Sequence, residues 1–155
     1  MDPLPTSKVS ISNETSFSLK LQLLSDSLET LFQHYGVVEP EVSVLLTTDE
    51  NLQSLNRQFR NIDAPTDVLS FPAGDMQHFP LGDIAISVPY AERQSLRRKV
   101  SLETELVLLA IHGGLHLLGF NDETEEEYQD MVRRMTEVAC LAGIDLPENW
   151  TVLSI

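Results

Sequence analysis

The stretch SLETELVLLAIHGGLHLLG, residues 101–119, decides the fold. Ser101 is a good N-cap residue at its start and Gly119 stands in the C′ place at its end, which predicts a helix through Leu118. The middle of that helix, Leu106-Val107-Leu108-Leu109-Ala110-Ile111, is apolar on all sides. A helix at the surface carries its apolar residues in one stripe, so this one is predicted to lie at the domain centre, covered all round. Gly113 and Gly114 sit inside it at a cost of about 2 kcal/mol relative to alanine. Room for a metal, a substrate or a closely packed backbone would offset that cost.

Outward from this helix the elements alternate. Lys8 to Ser12 alternates polar and apolar and predicts a strand. Leu19 to His34 carries Leu24, Leu28, Leu31 and Phe32 at helical spacing, with Gly36 as a stop. Glu41 to Thr47 is a second strand, and Thr47 with Glu50 forms a capping box for a helix to about Arg60. Asp67 to Phe71 and Asp83 to Val88 are two further strands, separated by a loop with Pro72, Gly74 and Pro80. Pro89 suits the first turn of a helix to about Lys99. Thr124 and Glu127 form a capping box for a last helix closed by Gly143. Residues 1–7 read as a tail and 145–155 as a terminal coil. The expectation is one α+β domain over 1–155, a mixed sheet of about four strands with about five helices. Strand order is not readable.

Composition supports one globular domain: 155 residues, 42% hydrophobic and 22% charged. The longest apolar run is far short of the roughly 20 residues that span a bilayer. Met1 to Lys8 offers no basic segment followed by an apolar one, so no secretory signal is expected. A lone cysteine, Cys140, makes no internal disulfide, and a cytoplasmic location is expected. In its apolar context Cys140 reads as a core residue rather than a nucleophile. Ten Lys+Arg against 24 Asp+Glu give a net charge of −14, which argues against nucleic-acid binding. Yet Arg93, Arg97, Arg98 and Lys99 cluster ahead of the long helix, and Arg93 and Arg97 share a face. That patch reads either as a surface tracking an RNA backbone or as a solvated helix face.

His112 and His116 are four residues apart, so both imidazoles project from one helix face, as a metal chelate requires. Gly119 then ends the helix and lets the chain fold back, where Asp122 can present an oxygen. Two imidazoles and a carboxylate, with a fourth position left to water, form a catalytic rather than a closed zinc site. The alternative is a pair of core histidines hydrogen-bonded to backbone or carboxylates. Gly113 stands where a zinc protease has its catalytic glutamate, which disfavours peptide hydrolysis. No nucleophile elbow, dinucleotide fingerprint or P-loop is present. The acidic run Asp122 to Glu127 suits a solvated first helical turn. His34 reads as structural in a last turn, and nothing ties His78 to the metal.

The string His112-Gly113-Gly114-Leu115-His116-Leu117-Leu118-Gly119-Phe120 resembles the signature of the YbeY family, metal-dependent endoribonucleases of ribosomal RNA maturation. Leu55 to Arg60 with Pro65 to Pro72, and Leu81 to Ile86, are similar to its second and third blocks, and the likeness runs over about residues 40–140. It implies an α+β fold with one zinc ion on the central buried helix, within a cleft. It also implies a single-strand-specific endoribonuclease acting in 16S ribosomal RNA 3′-end processing and ribosome quality control. RNA is then the substrate, the ribosome or its proteins are partners, and no membrane is involved. Arg60 matches the arginine of the second block and is carried over as the catalytic phosphate-binding residue, since a guanidinium fork suits a phosphodiester. A structural ion pair with Asp63 or Asp67 is its other reading. Arg93, Arg97 and Arg98 are candidate substrate contacts.

One departure matters. The family pattern ends in a third histidine after an Asp; here Asn121 and Asp122 occupy those places. Exchanging a neutral ligand for an anion lowers the charge of the metal site from +2 to +1 and weakens its Lewis acidity. It also favours a harder ion such as manganese. A ribosome-assembly factor with a structural or weakened metal site is therefore the alternative expectation, with a general metallohydrolase behind it.

Overall fold

The computed structural model describes residues 8–73 and 81–151. The expected tail 1–7, as well as Gly74, His78 and Pro80, lie outside the described residues. Four strands, β1 (Lys8–Asn13), β2 (Glu41–Thr47), β3 (Val68–Pro72) and β4 (Gly82–Ser87), form one sheet in the order β1-β2-β4-β3. β1, β2 and β4 are parallel, and β3 pairs antiparallel with β4, setting Phe71 opposite Asp83 and Val68 opposite Ile86. Five helices complete the α+β fold: α1 (Gln22–His34), α2 (Asp49–Arg60), α3 (Val88–Arg98), α4 (Leu102–Leu117) and α5 (Glu125–Leu141).

Strand pleating sorts the side chains into two unequal cores. Val42, Val44 and Leu46 of β2 and Ile84 and Ile86 of β4 face one side and are fully buried with α1, α4 and α5. Burying each such side chain contributes about 1.5–3 kcal/mol. Ala85, one residue out of phase, points the other way with Leu52 of α2 and Leu69 of β3.

α4 is the axis of the larger core. It packs on α1, α3, α5, β3 and β4, and Leu106 through Ile111 are all at most 3% exposed. The two glycines serve this packing. A Cβ on Gly114 would lie 2.4 Å from Leu31 Cδ2, and one on Gly113 would lie 3.0 Å from Ile84 Cγ2. Close approach of α1 and the sheet offsets their helix cost, and Gly113 also lines the cleft beside His112.

Local signals account for most boundaries. Ser101 caps α4 through the Thr104 amide, and Thr124 and Glu127 form the full capping box of α5. The α2 cap is Thr48, whose hydroxyl accepts from Asn51 N, while neighbouring Thr47 accepts from the Asn51 side chain. Ser87 caps α3, which moves Pro89 to its second residue. α1 begins at Gln22, later than its apolar spacing suggests, and has no side-chain cap. The C-terminal segment is more than a coil: Trp150 is buried and its indole donates to Thr136 Oγ1 at 3.1 Å. Cys140 is exposed, because the face of α5 that packs inward carries Met131, Met135, Val138 and Ala139. Among the described residues no single helix is long and apolar enough to cross a membrane.

Candidate metal centre

The last turn of α4 and the chain reversal after it bring His112, His116 and Asp122 together. Gly119 takes φ +99°, a backbone region open to glycine, and lets the chain double back across the histidine face. His112 Nε2 lies 2.9 Å from Asp122 Oδ2 and 3.0 Å from His116 Nε2, and His116 Nε2 lies 3.4 Å from the same carboxylate oxygen. A tetrahedral zinc with bonds of 2.0–2.2 Å to nitrogen and oxygen sets its ligand atoms about 3.3 Å apart. The three edges therefore already match the triangle that such an ion needs.

Protonation is arranged to match. His116 Nδ1 sits 2.9 Å from the Phe120 carbonyl oxygen. A carbonyl can only accept, so Nδ1 carries the proton and Nε2 presents its lone pair to the centre. Burial, and after it the neighbouring His112, push the His116 pKa down and favour the neutral ring. The hydrogen bond that His112 Nε2 donates holds the Asp122 carboxyl below the usual carboxylate range, and the proton in that bond is the one a cation would displace. A neutral imidazole beside an ionised carboxylate is the set that binds a divalent cation.

A cleft of about 330 Å3 opens onto these ligands, lined also by Asn56, Thr66, Ser70 and Arg60. An apolar hollow of about 530 Å3 lies on the sheet face opposite the main core, and none of the candidate site residues lines it.

The chain matches the family model described as Endoribonuclease YbeY over residues 6–141. The chain belongs to the YbeY family. An Endoribonuclease YbeY of Shouchella clausii is 40% identical over 91% of this chain and 98% of its own length. One from Moorella thermoacetica is 45% identical over 81% of this chain and 87% of its own length. The solution structure of a Thermotoga maritima protein superimposes with a TM-score of 0.60 at 28% identity, covering 91% of this chain and 99% of that one.

With the YbeY assignment in hand, the arginines divide. Arg60, at the end of α2, lines the ligand cleft and donates to the Ser70 carbonyl at a long 3.4 Å. It pairs with neither Asp63, which accepts from Gln53, nor Asp67, which accepts from Gln94 and its own following amide. Arg93 and Arg97 are exposed on α3 and line neither the cleft nor the cavity beside it. Arg93 is held 3.0 Å from Asp49 and lies over the Tyr90 ring. Arg98 leaves the expected patch altogether. It is buried, 3.5 Å from the wholly buried Glu105, with its guanidinium over Trp150. Helical phase explains the split, since Arg98 follows Gln94 by four residues on the inward face of α3. His34, in the last turn of α1, lies 3.1 Å from Glu137 of α5.

Two participants have no signal of their own in the sequence. The Phe120 carbonyl that orients His116 is backbone, and Glu105 under Arg98 reads as one more first-turn acid.

Proposed function

We propose that this protein is a metal-dependent endoribonuclease that cuts single-stranded RNA in the maturation of ribosomal RNA, in the cytoplasm and in contact with the ribosome. The observation that supports this most directly is the triangle of His112 Nε2, His116 Nε2 and Asp122 Oδ2 at 2.9–3.4 Å, set in a cleft that also holds Arg60. His112, His116 and Asp122 would hold one zinc ion. A divalent cation held there supplies Lewis-acid activation of water and of a phosphoryl oxygen. The chain's own residues do the rest. The Phe120 carbonyl fixes the His116 ring, Asp122 stays ionised beside His112, and Arg60 binds and neutralises the phosphodiester as charge develops on it.

Asp122 supports a second reading. With an anionic ligand in place of the family's third histidine, and with a net charge of −14, the chain would serve ribosome assembly through binding, with a weakened centre.

Purified protein incubated with single-stranded and duplex RNA separates the two. Cleavage of the single strand, lost in a folded His116→Ala variant, supports the nuclease. Equal trace cleavage by both proteins rules it out. Elemental analysis of the same samples reports the metal and its stoichiometry.

A further inference from the structure

The end of α2 carries a combination of side chains that the fold itself does not use. Arg57, Phe59, Arg60 and Ile62 are all exposed there, and Phe59 keeps 60% of its surface in water. This helix end leans on the edge strand β3 at two neighbouring residues. The Phe59 ring meets the Phe71 ring edge-on at 5.3 Å, and the Arg60 guanidinium reaches the Ser70 carbonyl. Phe59 thus borders the apolar hollow on the sheet while Arg60, next to it, borders the metal cleft.

Charge sets this turn apart. On a chain of net charge −14, carboxylates hold Arg93, Arg98, Arg133 and Arg134. Among the described residues neither Arg57 nor Arg60 has an acidic partner. The two are three residues apart and so are neighbours on the helix surface. The helix dipole favours cations in a last turn, which accounts for the arginines alone. It gives no reason for an exposed aromatic ring beside them. Arginines interleaved with such a ring suit a single nucleic-acid chain, whose phosphates need cations and whose unpaired bases stack on aromatic faces. Asp83 lines the hollow beyond Phe59, so phosphate is favoured on the arginine side and a base on the ring side.

We propose that the end of α2 is the landing surface for the RNA chain: a base stacks on Phe59, Arg57 and Arg60 bind adjoining phosphates, and the chain passes from Arg60 into the metal cleft. The inference rests on the nuclease reading for its substrate class. It makes Arg57 and Phe59 binding residues, and it gives a preference for single strands a physical source, since bases inside a duplex are already stacked.

The anisotropy of a labelled short single-stranded RNA, read on rapid mixing with the intact protein, reports binding ahead of any cleavage. An abasic chain with the same backbone isolates the phosphates. Phe59→Leu keeps an apolar contact with Phe71 and loses the ring. It is expected to weaken the RNA about fivefold or more and to leave the abasic chain unchanged, with Phe59→Tyr restoring affinity. Arg57→Ala is expected to weaken both chains and to reduce the slope of log affinity against log salt by about 0.7. Arg133→Ala on α5 is the control and is expected to change neither. A parent protein that does not bind the RNA overturns the landing surface. A Phe59→Leu variant that binds as the parent does overturns the stacking role, and an unchanged salt slope in Arg57→Ala overturns its phosphate contact; the nuclease reading stands in each case if single-stranded RNA is still cut. If binding follows the expected pattern and no RNA is cut, the landing surface stands and the nuclease reading falls.

Discussion

Leu31 of α1 occupies the place that a side chain on Gly114 of α4 would take: a Cβ there would lie 2.4 Å from Leu31 Cδ2. Leu31 is itself fully buried, so it cannot swing into solvent. Helix propensity alone predicts that Gly114→Ala stabilises by about 1 kcal/mol. Overpacking of a filled core costs about 1–3 kcal/mol, and the contact is closer than real Cβ atoms show. Gly114→Ala is expected to lower stability by up to about 2 kcal/mol on balance, read from urea denaturation midpoints. Gly113→Ala, facing Ile84 at 3.0 Å, is expected to lose less. A stabilised Gly114→Ala would show that α1 yields.

Asp122 carries the departure from the family pattern. Elemental analysis of purified protein is expected to find one metal per chain. Asp122→Ala is expected to lose it, and Asp122→His to keep or tighten it, since a third neutral imidazole restores the +2 charge of the site and its Lewis acidity. Metal retained undiminished in Asp122→Ala would remove this carboxylate from the ligand set.

Among the described residues Arg60 has a single long hydrogen bond, and its side chain is exposed, so its removal tests chemistry with little structural cost. Arg60→Ala is expected to lower the RNA cleavage rate by about 10²–10³-fold and to leave the denaturation midpoint unchanged. Arg60→Lys keeps the charge, loses the fork, and is expected to fall between the two. An unaffected rate would return Arg60 to the role of a surface cation.

Glu105 gives stability a dependence on pH. Its carboxyl is wholly buried beside Arg98, with neither oxygen hydrogen-bonded among the described residues. Burial raises its pKa from 4.5 to about 7 despite the nearby guanidinium. Between those values the folded chain holds a proton that the unfolded chain has released, so unfolding loses protons and stability falls as pH rises. The contribution is complete below 4.5 and is gone once pH passes about 7. Glu105→Gln is expected to flatten that slope, as measured by denaturation across this range. An unchanged slope in the variant would assign it to other groups.

Much of this was legible because it is local. The cap at Ser101, the capping box of Thr124 and Glu127, the buried phase of α4 and the turn at Gly119 each depend on residues within a few positions of one another. The spacing of His112 and His116 is equally local, and the fold-back of Asp122 onto them needs only that one turn. Strand order was not legible, because pairing β2 with β4 instead of β3 is decided by contacts distant in sequence. The α3 basic cluster misled for a related reason. Charge suggests exposure, yet Arg98 falls on the inward phase of its helix and meets Glu105 and Trp150, neither of which marks it in advance. Cys140 was the converse, an apolar type on an outward phase.

All three candidate ligands come from one short span, residues 112 to 122, on a single helix end and its turn. Closing a loop of about ten residues costs little chain entropy, so the denatured chain still offers the three donors, without the helix end and the Phe120 carbonyl that orient them. A cation that binds both forms stabilises the fold only by the difference between them. Metal removal is therefore expected to silence the centre far more than it loosens the domain, whose integrity rests on the leucine-rich walls of α4. The protein would persist as an intact but inactive apo form, ready to be reloaded when the ion returns.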